Sequence, residues 1–140
     1  QEPQGTEVLK SLGERVVELV PNVRENFIAR LEALAGIVRT CIASNINADD
    51  TYSAMERNCK SKEPPFSTYY EGVAIKIRDE ALFPSYDDLL NLDKKLKNTI
   101  DGFSTDLTLG DRTIPETLSD IEALIARVQN VAGFIAYINS

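Results

Sequence analysis

Apolar residues recur along this chain at steps of three and four. In TEVLKSLGERVVELV (residues 6–20), Leu9, Leu12, Val16 and Leu19 form one stripe, as an amphipathic helix requires. Pro21 then removes a backbone donor and disfavours α geometry at Val20. The stripe resumes in phase with Val23, Phe27, Leu31, Leu34 and Val38 and runs on to Cys41 or Ile42. The pattern predicts a kink or tight break at Pro21, with Asn22 and Glu25 placed to cap a fresh helix.

Residues 44–50, SNINADD, are turn and cap formers, and Asp50 opens a short helical turn reaching about Asn58. Pro64-Pro65 imposes an extended connection. Thr68 with Glu71 forms a capping box for a helix carrying Tyr70, Val73, Ile77 and Ala81 inward, which Pro84 ends. Ser85 with Asp88 caps the next, with Leu89, Leu92, Leu96 and Ile100 inward and Gly102 as its stop. After the connector 103–112, Thr113 and Glu116 make a further capping box. It opens the most apolar helix, with Leu118, Ile121, Ile125, Val128, Ala132 and Ile135 on a face that Leu124, Val131 and Ile138 widen. That helix is expected at the centre of the fold. No strand pattern appears. The fold class is therefore all-α: one domain, residues 1–140, a bundle of about four long helices plus a short helical turn.

Composition narrows the chemistry. The 140 residues carry a net charge of −7, with eight basic against ten acidic residues in 1–70 and seven against twelve in 71–140. Such a surface repels phosphate backbones, so nucleic acid is not an expected partner. There is no histidine, which removes Ser-His-Asp and Cys-His relays and the ordinary zinc sites. The acidic pairs Asp79-Glu80 and Asp87-Asp88 read as a solvated face and a helix cap rather than as catalytic carboxylates. No catalytic residue, cofactor or metal is expected. The longest uncharged run, VQNVAGFIAYINS (128–140), is too short to span a bilayer.

Cys41 and Cys59 frame the polar stretch 44–58. In an oxidising compartment they are expected to pair and tie that excursion to the bundle, closing a loop worth roughly 3 kcal/mol. The even cysteine count, with a first residue Gln1 that fits a processed start, predicts a secreted protein. Asn45, Asn47, Asp49, Thr51, Ser53 and Glu56 also fall at the ligand spacing of a calcium loop. Asp50 stands where that loop needs glycine, and Cys59 with the prolines cuts its exit helix short, so an Asn/Asp-rich connector is the preferred reading.

The basic and aromatic content beside this excursion marks a contact face on an otherwise acidic chain. Tyr52, Arg57, Lys60, Lys62, Phe66 and Tyr69 are its candidate binding residues. A second possibility is a small hydrophobic ligand held in the bundle core, where Ala33, Gly36, Gly133 and Ala136 would leave room.

The QEPQ start, the lone Cys41/Cys59 pair, the lack of Asn-x-Ser/Thr sequons and the helical stripes together resemble the small secreted helical proteins in the saliva of blood-feeding insects. The resemblance is one of type over the whole chain and transfers no site. It implies a monomeric, non-enzymatic protein that captures an extracellular partner, such as a host haemostatic or complement component.

Overall fold

The computed structural model describes residues 11–20, 22–61 and 86–140. Among them are six helices and no strand: α1 (Leu12–Leu19), α2 (Val23–Ala43), α3 (Ala48–Ser61), α4 (Tyr86–Leu109), α5 (Ile114–Val128) and α6 (Val131–Asn139). The expected helix opened by Thr68 and Glu71, and its stop at Pro84, lie outside the described residues.

Helices α2 to α5 alternate in direction. Four-residue turns join α2 to α3 and α4 to α5. Arg24, at the start of α2, donates to the Gln129 carbonyl past the end of α5 (2.6 Å), so α2 and α5 are antiparallel. Cys59 near the end of α3 lies level with Arg30 of α2 and Asp101 of α4. Both short turns therefore sit at one end of a four-helix bundle. Helices α1 and α6 pack on each other across the opposite end, where the Gly13 amide donates to Asn139 Oδ1 at 2.9 Å.

The core is aliphatic and continuous. Val23, Phe27, Leu31, Leu34 and Val38 of α2 are 0–1% exposed and meet Met55, Leu89, Leu96, Ile121 and Val128 from the other three helices. Phe27 stacks on Tyr137 (ring centroids 5.7 Å) and tilts against Phe134 (6.2 Å), joining the bundle to α6. Lys95 closes the last helix. Its ammonium donates to the carbonyls of Tyr137, Ile138 and Ser140 (2.9, 3.2 and 3.2 Å) and lies 4.9 Å from the Tyr137 ring. Desolvation lowers its pKa, and Arg127 adds to the effect.

The helix ends correct several expectations. The open choice between a kink and a break resolves into two separate helices, α1 and α2, but the expected Asn22 cap does not form: Asn22 adopts a left-handed conformation (φ 69°) with no side-chain capping bond. A capping box belongs instead to Ser11 and Glu14 at the start of α1. The expected short turn at 50–58 is a full fourteen-residue helix, α3. Gly102 does not stop α4, because Phe103 and Leu107 keep the apolar stripe in phase and the helix continues to Leu109. The Thr113–Glu116 capping box forms as expected.

The long apolar helix expected over 114–138 is two helices bent by 111° at Gln129–Asn130. Asn130 caps α6 by accepting from the Gly133 amide at 2.7 Å. Gly133 lets the chain fold back: a Cβ there would meet the Arg127 carbonyl oxygen at the end of α5. Nor is α5 the central helix. Only Thr117, Ile121 and Val128 are buried on it, whereas α2 buries eight residues.

These contacts generate a paired prediction. Gly133→Ala should destabilise the fold by about 2–3 kcal/mol through backbone collision. Gly102→Ala, where an added Cβ meets nothing within 4 Å, should stabilise it by up to about 1 kcal/mol. Urea unfolding of both variants gives the two signs, and equal effects would contradict the geometry at Arg127.

Candidate functional site

The end of the bundle that carries both turns is built twice by one device. At the end of α2, the Ile46 amide bonds the Cys41 carbonyl (2.9 Å) and the Asn45 amide the Ile42 carbonyl (3.1 Å), with Asn45 left-handed at φ 55°. At the end of α4, the Asp111 amide bonds the Asp106 carbonyl and the Gly110 amide the Leu107 carbonyl, both at 3.1 Å, with Gly110 at φ 78°. Each is a Schellman ending, which satisfies the last carbonyls of a helix by reversing the chain through one left-handed residue. A side-chain cap then starts the next helix at once. Asn47 Oδ1 accepts from the Asp50 amide (2.8 Å), and Thr113 Oγ1 from the Glu116 amide (3.2 Å). Two turns with every residue engaged make a stiff end face.

That face displays aliphatic side chains. Ile42 and Ile46 are each 37% exposed and Leu109 is 67% exposed, three of the five large hydrophobic residues exposed among the described residues. Asp49, Asp50, Asp111 and Glu116, in the same two turns or the first turns of the helices that follow them, are exposed as well. The nearby Arg39 is paired with Glu122 (2.9 Å) and Arg112 with Asp120 (2.8 Å), both acids belonging to α5. Hydrogen bonds from Thr113 lower the pKa of Glu116, with Arg112 contributing.

The expected binding residues distribute differently. Tyr52 is half-buried against the core and donates its hydroxyl to Glu56 (3.0 Å), which also pairs with Lys60 at 3.5 Å. The three form one stripe along α3. Arg57 is exposed on a neighbouring part of that helix, one residue out of the stripe. Lys62, Phe66 and Tyr69 lie outside the described residues. Sequence reasoning passed over Ile42, Ile46 and Leu109, although Asn45 and Gly110 each mark the left-handed residue of a helix ending and so place the flanking aliphatics on a turn.

The expected disulfide is not present; Cys41 and Cys59 are both free thiols. Helix α3 explains why. Cys41 stands two residues before the end of α2, while Cys59 stands eleven residues into the antiparallel α3, roughly 16 Å from its start at 1.5 Å per residue. A disulfide needs Cα atoms within about 7 Å. Burial, the Asp101 carboxylate and a hydrogen bond from the thiol to that carboxylate push Cys59 up from the ordinary 9.0 to about 12.

The same helix removes the calcium loop. Asp49, Thr51, Ser53 and Glu56 ride on regular α3 rather than on a wrapped loop, and the Asn47 amide oxygen caps the helix. Among the described residues, no group of three His, Cys, Asp or Glu is placed to hold a metal. The four small residues expected to leave core space do not do so, since Ala33, Gly36 and Gly133 are half-buried and Ala136 is exposed. A cleft lined by Val17, Val20, Asn22, Val23, Arg24, Glu25 and Val131 measures about 140 Å³. Pockets for small molecules run from about 300 Å³ upward.

The fold and this end face define an all-α helical bundle with an acidic-rimmed aliphatic tip. The chain matches no known family model, no curated protein and no solved structure. Among the described residues, no single helix is long and apolar enough to cross a membrane.

The thiol geometry makes a direct prediction. The folded protein should show the mass of two free thiols, and material made in oxidising and reducing hosts should melt at the same temperature. Because Cys59 holds its proton in the fold up to about 12 but releases it near 9 when unfolded, its contribution to stability is complete below pH 9 and fades as pH rises toward 12. Tyr137, also raised by burial, acts in the same direction. Cys59→Ala should therefore flatten the alkaline loss of stability without abolishing it. A mass two daltons lower, or an identical pH profile, would contradict this arrangement.

Proposed function

We propose that this protein acts by binding another protein rather than by catalysis, in an extracellular setting, and that it docks through the end face carrying the two turns. The observation that carries this reading is the exposure of Ile42, Ile46 and Leu109 in and beside the two turns at one end of the bundle, turns held by Schellman bonds and side-chain caps. Aliphatic side chains on a pre-ordered surface lose little entropy on binding, which is how a small patch becomes an effective anchor. The α3 stripe with Arg57 and Lys60 is a secondary contact. The extracellular part of the proposal draws on the resemblance to secreted salivary proteins, because the unbridged thiols lend it nothing.

The test is biolayer interferometry of the purified protein against a panel of plasma haemostatic and complement proteins. Saturable binding to at least one, weakened roughly tenfold or more by Leu109→Asp with unchanged circular dichroism, is the expected result. Binding that ignores Leu109→Asp but falls with charge reversal of Lys60 would move the interface onto α3. An absence of binding across the panel removes the haemostasis and complement reading.

A further inference from the structure

The charge around the tip specifies its partner. Within residues 39–50, 106–116 and the two ion-paired acids of α5, seven carboxylates (Asp49, Asp50, Asp106, Asp111, Glu116, Asp120 and Glu122) face two guanidiniums. Both guanidiniums are already engaged, Arg39 by Glu122 and Arg112 by Asp120. Asp49, Asp50 and Glu116 sit in the first turns of α3 and α5, where the helix dipoles offset part of their field. Asp111 belongs to neither helix and has no such offset.

This distribution decides between occupants. A second copy of the chain would set the same carboxylates against each other, and like charges brought face to face cost affinity. Phosphate backbones and anionic lipid surfaces are repelled for the same reason. An apolar partner without charge would cover the aliphatics but leave the carboxylates desolvated and unpaired at the rim. We infer that the tip, if the docking reading holds, receives a basic protein segment: one whose Lys or Arg side chains flank an aliphatic stripe, the stripe seated on Ile42, Ile46 and Leu109 and the cations on Asp49, Asp50 and Asp111. The aliphatic contact supplies affinity. The carboxylates supply on-rate and discrimination.

Three eighteen-residue helical peptides with one leucine pattern test this, the other positions being Lys, Gln or Glu. Each is titrated into the full-length ¹⁵N-labelled protein and followed by amide chemical shifts. The Lys peptide should move amides of residues 42–50 and 109–116 and bind about tenfold or more tightly than the Gln peptide at low salt. The Glu peptide should leave the tip unchanged. Asp49→Asn with Asp111→Asn, which leaves both helix caps intact, should weaken the Lys peptide by about three- to tenfold. Equal binding of Lys and Gln peptides at the tip would overturn the basic-partner inference and leave docking standing. Shifts from the Lys peptide spread over the acidic surface and absent from the tip would overturn the site itself, and so would a tip that no peptide perturbs.

Discussion

Everything in this structure is hung on one seam, the row Val23, Phe27, Leu31, Leu34 and Val38 along α2. Each of these side chains is fully or almost fully buried, and burying a residue of this size contributes about 1.5–3 kcal/mol. The other helices are positioned by what they lay against that row. Helices α3 and α5 cover it from two sides, α4 brings Leu89 and Leu96 across the core, and α6 reaches it through Phe134 and Tyr137 against Phe27. A helix central in this way must be apolar around much of its circumference, and α2 meets that with Ile28, Ala35 and Cys41 buried beside the main stripe.

The seam is also the part of the fold most legible in the sequence. A stripe of large aliphatic residues at helical spacing has one physical use, so the predicted residues and the buried ones coincide on α2 and on the first half of α4. Helix ends were less legible, because periodicity continues through a break that preserves phase. Ile125, Val128, Ala132 and Ile135 read as one face, yet Asn130 and Gly133 turn the chain between them. Gly102 gave the opposite error. Glycine inside a solvent-facing part of a helix costs about 1 kcal/mol against alanine, which the buried Ile100, Ser104 and Leu107 on either side readily offset. The true stop is Gly110, the left-handed residue of the helix ending, eight residues beyond the expected one.

Helix α3 carries the largest departure. Its buried positions are Thr51 and Met55, with Tyr52 and Cys59 packed partly against the core, so only one large aliphatic side chain announces its inner face. From its letters, ADDTYSAMERNCKS predicts only a short helical turn over 50–58, whereas the chain forms fourteen residues of regular helix. Once it is straight, the two cysteines are held apart and the calcium spacing loses its loop. One change in secondary structure therefore overturns the expected bridge and also removes the loop that the already disfavoured calcium spacing would have needed.

The absence of a bridge between Cys41 and Cys59 relocates the source of order at the turn end. A disulfide would have stiffened the 44–47 turn by restricting the unfolded chain. Local hydrogen bonding does it here through the folded state, since Asn45, Ile46 and Asn47 each have a defined backbone or side-chain partner and the second turn repeats the scheme with Gly110, Asp111 and Thr113. Stiffness built this way leaves side chains free to face outward. Ile46 follows the left-handed residue and Leu109 precedes one, positions where the chain is reversing and the core has already been closed below by Val38 and Leu107. The exposure of these aliphatics is thus a consequence of how the turns are made, since the bonds that reverse the chain also fix where their backbone lies.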